Sequence, residues 1–502
     1  MPHARRSIAR QSLAASSAQR ILGLRMNIAR PDWVLTFARL IVRGALLGML
    51  GAGWASSPAA TLPANFPILT ASGAAPAVAP LVLAAAAQPR LQPSLPAQKP
   101  AAPSNVGLGA AVTPVTNQFE LLDGERVVLV GDRFMEQELE WGYLETRLTL
   151  QYPDRNVRFR NLGWIRVPGF SDPSTHRNLA GPEWDRLLAQ VAAFKPTVAV
   201  VAYGTEAADC APSHLDTFLA NYTRLLDALT AAGATNATRW LLLGPARLEQ
   251  SSAVTNSAPG HSAGIALWNA ALQDLASQRQ ARFVSLSSLL AELPRYGITN
   301  RLSDERGDLT RYGFRLLVDL LTTRLGWEAN IWRVGITRDG QFRQGGYGIT
   351  TADLLKTTNR IRFTGRLEQL PSPPVLESNR PLPGLRPPGM VQFVDLSTEP
   401  WMLHIDGQRV KGLLGPLWSR GVPIDSGPDS DQAEQLRQTI VQKNRLVRTQ
   451  LERPGAKQSG GSDERIVSFE KAIARLRVPV TRTYELVPVP AVEVLTNLPP
   501  SK

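Results

Sequence analysis

The chain has 502 residues, 43% of them hydrophobic and 19% charged, with a formal net charge of +13 and one cysteine, Cys210. That length holds two or three domains, and the apolar content excludes a wholly disordered chain. A single cysteine excludes an intrachain disulfide and a cysteine-built zinc site.

The charge lies mostly at the amino end. Residues 1–50 carry eight arginines against one acid, Asp32, and the first 114 residues hold +9, which leaves +4 on the other 388. A phosphate-binding surface needs basic side chains grouped on a folded part, so nucleic acid is set aside as a partner. Arginines precede the apolar stretch 46–54 and the small residues Ala55-Ser56-Ser57. This order is that of a secretory leader, over 1–57, with Met26 as an alternative start. An uncleaved anchor or a basic tail is the competing reading. No apolar run reaches the ~18 residues that a bilayer span requires, so the mature chain is expected to have no integral span. Residues 58–114 are rich in Ala and Pro with almost no charge, the composition of a disordered spacer.

From 115 to 326, short apolar runs alternate with helical periodicity. Strands are expected at 126–130, 157–162, 196–202, 240–243 and 282–286, and helices at 138–150, 184–194, 215–232, 265–279 and 312–325. Runs apolar on both faces, separated by helices, imply a parallel sheet covered on both sides, with sites outside its carboxyl edge. From 327 to 425 the pattern turns to alternation, at 331–336, 360–366, 389–395 and 401–405, with Asp339-Gly340 and Asp406-Gly407 as turns. It predicts a small antiparallel β-rich, sandwich-like module. The proline-rich stretch 371–388 reads as an extended connection. In 426–502 the apolar stripes of Leu436, Ile440, Val447 and Leu451, and of Ile466, Phe469, Ile473 and Leu476, predict a C-terminal helical region followed by a tail.

The blocks Arg126-Val-Val-Leu-Val-Gly-Asp132, Tyr143-Leu-Glu-Thr-Arg-Leu-Thr-Leu150, Asn161-Leu-Gly-Trp164, Ala202-Tyr-Gly204 and Leu302–Gly313 together resemble the SGNH (GDSL-type) hydrolases, in particular exported forms of planctomycete-like bacteria. Two later blocks, 436–446 and 476–486, resemble that subgroup's C-terminal region. The resemblance implies a flavodoxin-like three-layer α/β/α domain with a parallel sheet, acting on ester bonds of acylated carbohydrates or lipids, without cofactor or metal.

The site residues that the resemblance carries over depart from the family's pattern. Asp132 keeps its place, but the nucleophilic Ser that follows it is Arg133, whose guanidinium stays protonated and cannot attack a carbonyl. Gly163 matches a backbone donor. Gly204 is kept in the third block, but the Asn of the oxyanion hole is replaced by Glu206, whose charge would repel an oxyanion. Asp308 stands at the position of the catalytic His and Glu305 at that of its Asp. His176, His214 and His261 are expected on loops or near helix starts, and Cys210 reads as an inert loop thiol. Trp141, Tyr143 and Trp164 read as packing, and the 345–348 glycines as a turn. The sequence thus points to an exported, SGNH-like binding or scaffolding protein that has lost Ser-His chemistry, with a divergent esterase and a cell-envelope structural protein as competing readings. Arg133 is expected to pair with Glu206, Asp308 or both, at about 3–5 kcal/mol if that pair is buried and about 0–1 if exposed.

Overall fold

A computed structural model describes residues 118–490, apart from 172–178, 210–211, 234–237, 247–259, 299–301, 306, 328–330, 344–346, 379 and 453–463. The expectations for 1–57, 58–114, His176, Cys210 and the paired glycines 345–346 lie outside these residues, as does the side chain of His261.

The five apolar runs form one parallel sheet, β1 (Arg126–Gly131), β2 (Arg158–Asn161), β3 (Val198–Ala202), β4 (Arg239–Leu243) and β5 (Arg282–Val284), in the order β2-β1-β3-β4-β5. Alternate residues feed two cores. Val127, Leu129, Val198, Val200, Leu241 and Leu243 face one, while Val128, Val130, Ala199, Val201 and Leu242 face the other. Both faces are therefore dry, which is why the strands read as continuous apolar runs rather than alternating ones. Helices α1 (Arg133–Trp141), α2 (Tyr143–Gln151), α6 (Leu286–Glu292) and α7 (Arg311–Arg324) cover the first face. The second is covered by α3 (Pro182–Phe194), α4 (Leu215–Ala232) and α5 (Gly260–Gln278). This is a three-layer α/β/α fold with flavodoxin-like strand order.

One expected helix, 138–150, is two. Gly142 adopts φ +69° between α1 and α2, a left-handed conformation that glycine takes without strain. The buried Glu138 carboxylate accepts the Leu144 and Glu145 N–H groups, at 2.7 and 2.9 Å, and so caps the second helix. The sequence pattern carried the apolar face straight through this break.

The second half contains β6 (Trp332–Ile336), β7 (Ile349–Thr357), β8 (Arg360–Leu367), β9 (Gly389–Phe393), β10 (Pro400–Ile405), β11 (Gln408–Leu414), β12 (Val422–Ile424) and β13 (Arg482–Pro488). Their sheets have orders β12-β9-β6 and β11-β10-β13-β8-β7 and share one core that includes Trp332, Phe363, Val391, Trp401 and Tyr484. The larger sheet is antiparallel, whereas β6 and β9 pair in parallel. The 371–388 connection is extended, with one two-residue pairing of Leu376–Glu377 against Arg380–Pro381.

The stretch expected to hold only helices and tail departs from that expectation. Helices α8 (Pro428–Glu452) and α9 (Glu464–Leu476) are present, but β13 then returns to lie between β10 and β8, so residues 327–425 alone do not complete the module. Alternation over seven residues, with only Tyr484 and Leu486 fully inside, is a weak signal beside two strong helical stripes.

Helix α8 is keyed to α2 by buried charge. Lys443, 2% exposed, donates to Glu145 Oε1 at 2.5 Å, and Asn444 Nδ2 donates to Glu145 Oε2 at 2.7 Å. The Arg437 guanidinium donates to the Trp141 carbonyl and lies 5.0 Å from the Tyr143 ring centre. Removing one member of a buried pair leaves the other uncompensated, so Lys443→Ala is expected to cost about 3–5 kcal/mol in urea unfolding, and Lys443→Met combined with Glu145→Gln clearly less. Equal losses for the two variants would show that the pair is not coupled.

Candidate functional site

At the carboxyl edge of the sheet, β1 ends and α1 begins at Asp132. Its Oδ2 accepts N–H groups from Gly204, Thr205 and Glu206 at 2.8, 2.9 and 3.4 Å, and its own N–H donates to the Ala202 carbonyl at 3.2 Å. Three successive amides can converge because Gly204 sits at φ +120°, which only glycine adopts freely. Asp132 thus cross-links the turn after β1 to the turn after β3. Its Oδ1 is buried without a hydrogen-bond partner among the described residues. Burial, helped by the nearby Glu206 charge, pushes the Asp132 carboxyl up to about 7 against the pull of the three amides.

Arg133, the first residue of α1, reaches the loop before α7. Its Nη2 donates to Asp308 Oδ2 at 2.7 Å. Asp308 is presented by a tight loop in which the Asp304 and Asp308 backbones bond at 2.8 Å, Asp304 Oδ1 accepts the Asp308 N–H at 3.0 Å, and Ser303 bridges Leu309. Gln137 on α1 donates to the Leu309 carbonyl at 3.2 Å and fixes the same loop from the other side. Glu305 stays on the exposed turn.

Arg133 does not pair with Glu206. Its Nη1 lies 3.3 Å from Glu136, one helical turn on, while Arg166 bonds Glu136 at 2.7 Å and Glu206 at 2.8 Å. The result is a ladder, Asp308–Arg133–Glu136–Arg166–Glu206, along the carboxyl edge of the sheet. Glu136 and Arg166 were missed in the sequence. The signal for Glu136 was its i,i+3 spacing from Arg133; Arg166 sits on the loop after Gly163, where spacing fixes no direction. The rungs are partly wet, with Arg133 and Asp308 side chains 37% and 28% exposed, so the low-energy alternative applies.

The Gly163 amide is engaged, like those of Gly204, Thr205 and Glu206. The Gly163 N–H donates to Asn161 Oδ1 at 2.8 Å, and Asn161 Nδ2 in turn donates to the Met135 carbonyl at 3.1 Å. A Cβ at position 163 would stand 2.4 Å from Met135 Cβ, so this glycine is needed for the close approach of α1. His214 ends a 3-10 turn ahead of α4. Among the described residues no group of His, Cys, Asp and Glu is arranged to hold a metal. Trp141 and Tyr143 pack against one core and Trp164 in the other.

No family profile matches the sequence, and no curated protein matches it. The structure is similar to a gut microbial diltiazem-metabolizing enzyme, at TM-score 0.59 and 13% identity over 74% of this chain and all of that one. It is also similar to an acetylxylan esterase from Geobacillus stearothermophilus, at 0.32 and 16% over 42% and 98%, and to a putative GDSL-like lipase from Parabacteroides merdae, at 0.30 and 15% over 42% and 100%. The first of these similarities shows a shared fold, and one that extends well beyond the parallel-sheet domain.

The raised Asp132 pKa sets a pH dependence. Between 3.8 and about 7 the unfolded chain has released this proton while the folded chain keeps it, so stability falls as pH rises through that window. Glu138, pushed to about 8 by burial, adds a fall of the same sign. Asp132→Asn is expected to flatten the decline by on the order of a few kcal/mol between pH ~5 and pH ~8 in urea unfolding. A decline as steep as that of the wild type would contradict the assignment. In the same assay Arg133→Ala is expected to change stability by only about 0–1 kcal/mol. A loss of several kcal/mol would show the ladder to be far drier than its geometry.

Proposed function

We propose that this hydrolase-like chain is an exported SGNH-fold protein without Ser-His esterase chemistry, which serves binding or scaffolding. The observation that carries the proposal is the charge ladder. Arg133, at the nucleophile's position, is hydrogen-bonded to Asp308, at the base's position, across the ground where an ester would lie. A guanidinium offers no lone pair for attack, and the Asp308 carboxylate accepts from that guanidinium rather than from a nucleophile's hydroxyl.

Four amides of the described edge are also committed elsewhere than to an oxyanion. Hydrolysis needs donors aimed at the developing charge, whereas the amides of Gly163, Gly204, Thr205 and Glu206 already serve Asn161 and Asp132. The ladder itself brings three carboxylates against two guanidiniums, a sign unsuited to an anionic intermediate. Export rests on the arginine-rich stretch and small residues before Pro58.

Purified protein is expected to hydrolyse p-nitrophenyl acetate and acetylated xylo-oligosaccharides no faster than its Arg133→Ala variant or buffer does. Arg133→Ser alone is expected to restore nothing, since Asp308 supplies no imidazole. Wild-type turnover abolished by changes at the ladder would overturn the proposal in favour of a divergent esterase. Amino-terminal sequencing of the native protein should begin near Pro58; full-length protein in the soluble cytoplasm would defeat the export reading.

A further inference from the structure

The amino end of the parallel sheet holds a cavity that the reading of the carboxyl edge does not use. Its volume is about 740 Å³, within the range of small-ligand sites. It lies under the carboxyl-terminal half of α7, between that helix, β6 and the end of the 371–388 connection. The adjoining cavity is lined by Arg282, the first residue of β5, which places both at the sheet edge opposite Arg133 and Asp308.

Charge sets this cavity apart. Its described lining contains four arginines, Arg147, Arg315, Arg333 and Arg386, and one acid, Asp319. Arg147 and Arg315 are 4% and 8% exposed, so two guanidiniums that stay protonated are held nearly dry. Asp319 is already committed. Its Oδ2 lies 3.1 Å from Arg315 Nε, and its Oδ1 accepts the Ser372 hydroxyl at 3.0 Å. Arg333 and Arg386 stand exposed at the rim and form no ion pair with a described residue. Cations thus outnumber acids along the lining, a sign that attracts an anion. Guanidinium is also the cation whose planar donors match carboxylate and phosphate oxygens two at a time.

The rest of the rim fits a ring-shaped body. Tyr296 and Tyr347 line the cavity at 42% and 56% exposure, flat faces of the kind on which sugar rings pack. Tyr347 is fixed opposite Arg333 by a pair of backbone hydrogen bonds, 2.8 and 3.1 Å, so one aromatic and one cationic side chain are presented from paired positions.

We propose that this cavity binds a sugar-sized molecule carrying an oxyanion, a carboxylate or a phosphate. The anion sits among the guanidiniums and the ring against the tyrosines. This site stands apart from the carboxyl-edge cleft and holds whether or not that cleft turns esters over.

Isothermal titration of the full chain with glucuronate, glucose 6-phosphate, inorganic phosphate and glucose tests it. Glucuronate or glucose 6-phosphate is expected to bind and glucose not; binding of inorganic phosphate as tight as that of the sugar anions would overturn the place given to the ring. Arg333→Ala and Arg386→Ala, both at exposed positions that leave the core intact, should each weaken anion binding by about tenfold, the effect of one lost charge-assisted contact. Absence of binding by all three anions would overturn the proposal, as would glucose binding equally well or affinity unchanged in the double variant.

Discussion

The carboxyl edge of this molecule is organised by one buried carboxylate. Asp132 gathers three consecutive amides from the turn after β3 onto a single oxygen, and in doing so fixes where the two side chains of interest, Arg133 and Glu206, begin. Arg133 must leave from the first turn of α1, and Glu206 from the third amide of the cradle. The two are not paired directly; each bonds other partners. Arg166 and Glu136 fill the distance between them, and the ladder follows from that spacing. The cradle also withdraws from solvent the amides that could have served an oxyanion. One constraint thus explains the order of the edge, and it is the ground on which a loss of ester hydrolysis is proposed.

A second constraint ties the two halves of the chain together. Helix α8 inserts Lys443 and Asn444 beside Glu145 on α2, and the strand that closes the larger antiparallel sheet comes from beyond α9. Arg482, the first residue of that strand, donates to Asp429 at the start of α8 at 3.0 Å. Strand β13 therefore holds the helix docked on the parallel-sheet domain and the centre of the β module at once. A structure closed this way places its cavities at junctions, and the arginine-lined cavity beside α7 lies at one of them.

Much of the fold was legible because burial on both faces leaves a plain trace. All five residues of Val198–Ala202 are buried, and no solvent face interrupts the run. Strand β13 was illegible for the opposite reason. Tyr484 and Leu486 alone mark its inner face, and its partners β10 and β8 lie about 80 and 120 residues away in sequence, beyond any local pattern. At the site, Arg133 and Asp308 could be placed together from family-like blocks, and they do meet. Glu206 could not be assigned its partner, because Arg166 lies on a loop whose direction depends on packing against α1 at Gly163. The degree of exposure was equally hidden, since sequence fixes which charges are near but not how much water reaches them.

The central proposal is that no described residue of the carboxyl edge is an activated nucleophile. Treating the native protein with a fluorophosphonate and locating adducts by mass spectrometry tests this directly, because such reagents record an activated hydroxyl without any choice of substrate. The account predicts no modified serine or threonine along the edge that Asp132, Arg133, Glu206 and Asp308 define. A stoichiometric adduct on a hydroxyl there, lost on unfolding, would contradict it.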